Sequence, residues 1–374
     1  MFLSTALTQV VLSLLLSTTY LQSTASAAYL QRRATTCNGH AELCDRSYGN
    51  ITFVGAHNSY AVGTNNLATN QDYDVSQQLK DGIRLLQMQA HNQNGVIQLC
   101  HSLCSLYNGG TLQDYLGKVK SFMDANPNEV VTLLIVNSDN LPPSQFDTVF
   151  KAAGLDTMSF TPESATLTQS AWPTLGSMID SGKRLVTFLS TTADFTAVPY
   201  LIDEFTNVWE TAFDVTDPTF DCNVNRTKGD PTTQLYLINH FLDEPLGSSI
   251  LSGIPVPNKD QANVTNSASG PGSLGEQVAT CVNDHGRSPN FLLVDFYEFG
   301  GGSIFQVAAD ANGVTYNPST PIATPLDNSS ASSPTGSGSS SSSSAAVDFR
   351  IGMVQVYAVM GVVSCLLLGG LSVL

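Results

Sequence analysis

Short apolar runs recur along the chain at Ile51–Ala56, Ile83–Ala90, Val96–Cys100, Val130–Asn137, Arg184–Leu189, Val208–Val215, Leu235–Phe241 and Phe291–Tyr297. Most are near-continuous stretches of aliphatic, β-branched and aromatic residues, the pattern of strands covered on both faces. Between several of them the period changes to that of a helix. Thr111–Ala125 sets Leu112, Tyr115, Leu116, Val119 and Phe122 on one side, and Asn126-Pro127 stops it. Pro143–Ala152 and Ser76–Lys80 are shorter helical patterns. Alternating strands and helices predict a mostly parallel sheet. Cys37 to Pro325 run without a linker-like gap or internal repeat, a length usual for a single-domain (β/α)8 barrel. An open α/β sheet is the alternative, because spacing alone does not establish closure.

One run carries an oddity. In Ile83–Ala90, Gln87 and Gln89 share a strand face with Ile83 and Leu85. A barrel collects its chemistry at the C-terminal ends of its strands, so the residues after each run matter most. His57, Asn58 and Ser59 follow the first, His91 and Asn92 the second, and His101 the third. Two histidines suit one chemistry in particular: one takes a proton from an attacking hydroxyl while the other gives one to the leaving oxygen. An imidazole titrates near neutrality and so serves either role. Asp295 sits within an apolar run, and a buried acid needs a partner. It either orients a histidine or pairs with a barrel arginine. Glu210 and Asp214 share a strand parity and are weaker candidates. His240 reads as a packed residue, and Asn108-Gly109-Gly110 as a turn.

The two ends change the picture of where the protein works. Residues 1–27 hold the apolar stretch Val10–Leu16 and close on Ala25-Ser26-Ala27, the pattern of a signal peptide, although no Lys or Arg precedes it. Residues 28–36 then form the mature N-terminal segment, and 37–325 the catalytic-sized domain. Residues 326–346 collapse to Ser, Ala, Gly, Pro and Thr, including Ser339–Ser344, and read as a disordered stalk. Residues 347–374 are an apolar tail with no basic residue after it. Small residues, a spacer and an apolar end form the signal for a GPI anchor, and a membrane-spanning helix is the alternative. A secreted, cell-surface or cell-wall location follows, with the membrane as a partner through the anchor.

Of the seven cysteines, Cys365 lies in the tail, leaving Cys37, Cys44, Cys100, Cys104, Cys222 and Cys281. An even number in an exported chain points to disulfides. The expected pairs are Cys37–Cys44, Cys100–Cys104 and Cys222–Cys281, since the first two close short loops; the spacings fit no zinc pattern. Sequons stand at Asn50, Asn225, Asn263 and Asn328. A net charge of −16 argues against nucleic acid and against unaided docking on anionic lipid.

The ordered segments FVGAHNSY (53–60), QQLKDGIRLLQMQAHN (77–92), VIQLCHSLC (96–104) and NPNEVVTLLIVN (126–137) resemble the phosphatidylinositol-specific phospholipase C X-domain superfamily, and more closely its secreted, cysteine-containing fungal and plant members. GKRLVTFL (182–189), PYLIDEFTNVWET (199–211) and PNFLLVDFY (289–297) fit as well. The resemblance implies a distorted TIM barrel that cleaves a phosphodiester by attack of the neighbouring inositol hydroxyl, giving a cyclic phosphate. It implies His57 as general base and His101 as general acid, and a phosphodiester lipid or inositol-phosphate substrate. Asn58 matches a calcium-binding position of the eukaryotic enzymes.

Two acids of the calcium-dependent relatives, and the acid and arginine of the bacterial ones, are matched here by Gln87 and Gln89. The acid at the end of the fourth strand is replaced in the region of Val136 and Asn137. Calcium favours carboxylate ligands, and Asn58, Gln87 and Gln89 bring neutral oxygens only, so no tightly bound calcium and no other cofactor is expected. Arg84 has the opposite parity and should face the helices; Lys183 and Arg184 begin a strand at the far end. His91, turned inward, would be a substitute cation. The reading is a monomeric, metal-independent phosphoric diester hydrolase, with Asn58, Gln87, Gln89, His91 and Asp295 supporting the two histidines. The alternative is a barrel with little or no turnover that binds lipid or glycan at the cell surface.

Overall fold

The computed structural model describes residues 33–64, 66–245, 255–318 and 320–326. The expected signal peptide, the stalk and tail from residue 327 onward, and the sequon at Asn328 lie outside the described residues. Among the described residues no helix is long and apolar enough to cross a membrane.

Eight parallel strands form one curled sheet. In chain order they are β1 (Phe53–Ala56), β2 (Leu85–Gln93), β5 (Val131–Asn137), β6 (Leu185–Leu189), β7 (Leu201–Asp203), β8 (Val208–Glu210), β9 (Leu235–His240) and β12 (Phe291–Val294). Their spatial order is β7-β6-β5-β2-β1-β12-β9-β8, and β10 (Asp243–Pro245) with β11 (Pro255–Pro257) forms a separate two-stranded ladder. The distorted barrel is thus open at one seam: no ladder joins β7 to β8, and the one-turn helix Glu204–Asn207 connects them.

Strand faces sort the core into two layers. Phe53, Leu85, Leu134, Val186, Phe188, Leu235, Leu237, Phe291 and Leu293 fill the barrel interior together with Tyr48 and Trp172. Val54, Leu86, Met88, Leu133 and Ile135 face the helices. Gly55 is small for a reason: a Cβ there would stand 2.7 Å from the Leu85 side chain. The helix α1 (Val75–Asp81) starts where the Asp74 carboxylate accepts from Ser76 and Gln77 N–H, and stops at Gly82, whose φ is 118°. The helix α2 (Leu112–Ala125) is capped by Thr111 and buries Leu112, Tyr115, Leu116, Val119 and Met123.

Two sequence expectations are corrected. Val96–Cys100 is no barrel stave. It is β3, antiparallel to β2 through the two-residue turn Asn94-Gly95, both at positive φ, and pairs outward with β4 (Asn108–Thr111). An Asn-Gly pair favours this hairpin turn, which forces the reversal. The eighth stave is Leu201–Asp203, too short to show a period. The runs expected at Val208–Val215 and Phe291–Tyr297 also end early, at Glu210 and Val294.

Three disulfides, Cys37–Cys44, Cys100–Cys104 and Cys222–Cys281, staple the domain, with Cα separations of 5.1, 4.7 and 5.3 Å. Asn50, Asn225 and Asn263 are exposed. The last described segment is strapped across α1. Tyr73 donates to the Thr324 carbonyl, Ala323 N–H to Asp81, and Leu326 N–H to Asp72. Asp72 also pairs with Lys259 and lies against the fully buried Glu298, whose carboxyl is pushed up to about 9 by burial and by the charge of Asp72.

Candidate functional site

His57 leaves the C-terminal end of β1 and Asp295 the end of β12, adjacent strands in register from Phe53↔Phe291 to Ala56↔Val294. That pairing sets Asp295 Oδ1 2.9 Å from His57 Nδ1. The Nδ1–H therefore donates to the carboxylate, leaving Nε2 as the basic nitrogen, which accepts from the Asn58 amide at 3.1 Å. The imidazole stacks on Phe241 at 3.8 Å between centroids with 9° between planes. Asn70 donates to both oxygens of Asp295, at 3.1 and 3.0 Å, and Gln71 donates to the His57 carbonyl at 2.8 Å. Both amides are fully buried.

His101 follows β3, inside the small loop closed by Cys100–Cys104. Its Nδ1–H donates to the Ala68 carbonyl at 2.8 Å, which leaves Nε2 as the nitrogen not committed to that bond. Burial lowers its pKa from 6.5, and the charge of His57 lowers it further, while the Ala68 bond and the charges of Asp295 and Asp214 act the other way. The two imidazoles thus share one electrostatic environment. A common backbone device presents them. The residue after each of His57, His101 and Asp295 is a non-glycine in the left-handed region: Asn58 (φ 40°), Ser102 (φ 58°) and Phe296 (φ 44°). Such conformations cluster at functional sites because the surrounding packing must hold them.

The amides form a hydrogen-bonded chain that links the residue after His57 to the residue after His101. Gln87 Oε1 accepts from Asn58 N–H at 2.6 Å, Gln89 donates to Asn58 Oδ1 at 3.2 Å, and Gln89 Oε1 accepts from Ser102 N–H at 3.1 Å. Each of the three amide oxygens already meets an N–H, and none carries charge. This donor set does not fit calcium, which wants several free oxygens with carboxylates among them. Among the described residues no group of three His, Cys, Asp or Glu side chains is arranged to hold a metal ion.

His91 does not join the pair. It lies within β2, not beyond it, with Nδ1 3.5 Å from Asp139, and its Nε2 is buried without a partner. Arg84 faces the helices, bonded to Glu129 at 2.8 Å, and Arg184 bonds the carbonyls of Met123, Asn126 and Glu129. His240 is buried between Gln277 and the Thr265 carbonyl.

Sequence reasoning did not single out Asn70, Gln71, Phe241, Asp243 or Arg226. The Arg226 guanidinium is ion-paired with Glu210 and lies over the rings of Phe205 and Phe213, at 5.2 and 4.3 Å. Glu210 in turn touches the buried Glu204, whose carboxyl is raised well above its ordinary range by burial and by that neighbour. Asp214 is raised by burial, offset in part by His57, Arg226 and His101. Asp243, two residues past Phe241, is pushed up to about 7 by burial and by Asp295 and Asp214, against the opposing charge of His57. Nothing in the sequence places these loops beside His57, because each contact joins distant segments.

Residues 43–310 match the PI-PLC X family profile (PI-PLC X 1). An uncharacterized secreted protein of Arthroderma benhamiae is 47% identical over 290 residues, covering 75% of this chain and 65% of its own length. The PI-PLC X domain-containing protein 1 of the same organism is 44% identical over 282 residues, covering 74% and 90%. Among solved structures, a mutant of the phosphatidylinositol-specific phospholipase C of Staphylococcus aureus is 16% identical with a TM-score of 0.49, covering 73% of this chain and 95% of that one. With the matched segment spanning well over half of its residues, this chain belongs to the PI-PLC X domain family.

Proposed function

We propose that the protein is an extracellular, GPI-anchored phosphoric diester hydrolase that uses two histidines and no tightly bound calcium. The observation that carries this reading is the Asp295–His57 pair beside His101, each imidazole with Nδ1 committed to an oxygen acceptor; Nε2 is then the nitrogen for proton transfer, and at His57 a substrate hydroxyl would take the place of the Asn58 amide 3.1 Å away.

His57 Nε2 takes the proton of a hydroxyl adjacent to the phosphate. That oxygen forms a bond to phosphorus as the bond to the lipid alkoxide breaks, and His101 Nε2–H gives its proton to the departing oxygen. The products are a cyclic phosphate and a diacylglycerol-type alcohol. Water can then open the ring with the two roles exchanged. Asp295 holds the His57 tautomer and stabilises the imidazolium that forms; it does not itself take the proton.

A second reading is a binding protein with little turnover. It is favoured by the neutral amide chain, because phosphoryl transfer calls for positive charge at the non-bridging oxygens. Incubation of the mature domain with phosphatidylinositol and related diesters, with and without EDTA, separates the two. Turnover that resists EDTA and is lost in His57→Ala supports the hydrolase; turnover indifferent to His57→Ala removes the mechanism, and turnover abolished by EDTA removes the metal-free claim.

A further inference from the structure

We propose that Asp243 acts as a neutral carboxylic acid that donates a hydrogen bond to a non-bridging phosphoryl oxygen. The inference rests on the diesterase reading and adds to it a residue and a proton requirement.

Placement is the first argument. Beyond β9 the chain stays extended, so Asn239, Phe241 and Asp243 follow one another on one side. Phe241 of this series covers the His57 ring. The Asp243 backbone is fixed on both flanks: its N–H donates to the Val215 carbonyl at 2.8 Å, and it pairs with Pro257 in a short antiparallel ladder. The side chain therefore lies on the same side of the chain as Phe241, two residues beyond the ring that covers His57, and is only 7% exposed.

Its surroundings are the second argument. Among the described residues the Asp243 carboxyl has no hydrogen-bond partner. The charged groups that act on it are Asp295 from β12, His57 from β1 and Asp214 from the loop after β8. Asp214 in turn feels His57, His101 and Arg226. The facing strand, Pro255–Pro257, brings no ionisable side chain, and neither do residues 246–254 in the sequence. Two carboxylates outweigh one imidazole, and burial disfavours the ion, so the proton stays on Asp243 up to about neutrality. A carboxylic acid kept neutral in this way is a hydrogen-bond donor and places no charge against an anionic phosphate. The step involves donation only; no proton leaves Asp243.

Catalysis then needs protons on two groups, His101 and Asp243. The test is the pH dependence of kcat/KM on phosphatidylinositol in detergent micelles, for the mature domain, Asp243→Asn and Asp243→Ala. The expected result is a fall in log(kcat/KM) above pH 7 with a slope near −2 in the wild type and −1 in Asp243→Asn, which still donates through N–H. At pH 6, Asp243→Asn should keep the rate within about tenfold, and Asp243→Ala should lose about a hundredfold, the usual cost of one such donor. Binding of inositol 1,2-cyclic phosphate, measured by calorimetry at pH 6 and 8.5, should weaken with pH more in the wild type than in Asp243→Asn. Equal slopes in wild type and Asp243→Asn, or faster turnover in both variants, overturn the proposal while leaving the diesterase reading intact. A wild type that neither turns over nor binds overturns both.

Discussion

Asp295 Oδ1 lies 2.9 Å from His57 Nδ1, and both residues stand one position beyond the last paired residues of neighbouring strands. The barrel register itself therefore sets the orientation of the base. His57→Ala should lower kcat by 10²–10⁴-fold, the range for losing a positioned acid–base group. Asp295→Asn should lower kcat substantially with little change in KM, because the imidazolium loses its counter-charge while the pocket keeps its shape. Steady-state kinetics on the two variants, with circular dichroism to verify folding, checks this.

The pH profile should lean toward acid. His101 must carry a proton to protonate the leaving oxygen, and burial together with the charge of His57 lowers its pKa from 6.5. The alkaline limb of kcat/KM should therefore begin below pH 6.5. A limb that begins above pH 7.5 would contradict the assignment of His101 as the acid.

Glu298 should make the fold less stable as pH rises. Its carboxyl is pushed up to about 9 in the folded chain against 4.5 for a free one, so the folded state binds the extra proton across that window. Stability is unaffected below pH 4.5, falls as the unfolded chain ionises, and levels off above about 9. Glu298→Gln keeps the shape without the ionisation cost and should raise the melting temperature at pH 7–8 by several degrees, roughly the effect of 1–2 kcal/mol in a domain of this size. The same variant measured at pH 4 should show almost no gain.

The disulfides should separate stability from activity. Cys222–Cys281 joins residues 59 apart, and both sulfurs are buried. Replacing the pair by Ala should cost about 2–4 kcal/mol. Cys100–Cys104 spans only 4 residues and encloses His101. Its replacement should cost only about half as much stability, as the shorter loop requires, yet reduce kcat, because the loop that aims the imidazole loses its closure. Thermal melts and kinetics on the two double variants read out the difference.

Much of this arrangement was legible in the chain. Continuous apolar runs mark seven of the eight parallel staves, since strands covered on both faces need apolar residues at every position. The same reading puts His57 at a strand end and gives Arg84 its outward parity, because alternation along a strand is fixed by geometry. What stayed hidden has physical causes. Leu201–Asp203 is too short to display a period. The reversal into β3 was written in Asn94-Gly95, a local signal that the apolar pattern of Val96–Cys100 masks. Asn70, Phe241 and Asp243 reach the base only through tertiary folding, and no spacing in one dimension brings them together. The apolar run at Ile83–Ala90 puts His91 just beyond a strand; β2 runs on to Gln93, and Asp139 meets the ring.

A complete ring of strands has no ends, but the seam between β7 and β8 leaves this one with two. Bare strand margins invite a neighbouring molecule to add its own backbone. Both margins here are only three residues long. The outer rim of β8 is already taken, since Glu210 exchanges backbone bonds with Asn225 and Arg226. The chain thus cuts its staircase open with one rim closed by its own backbone and the other reduced to a step of three residues.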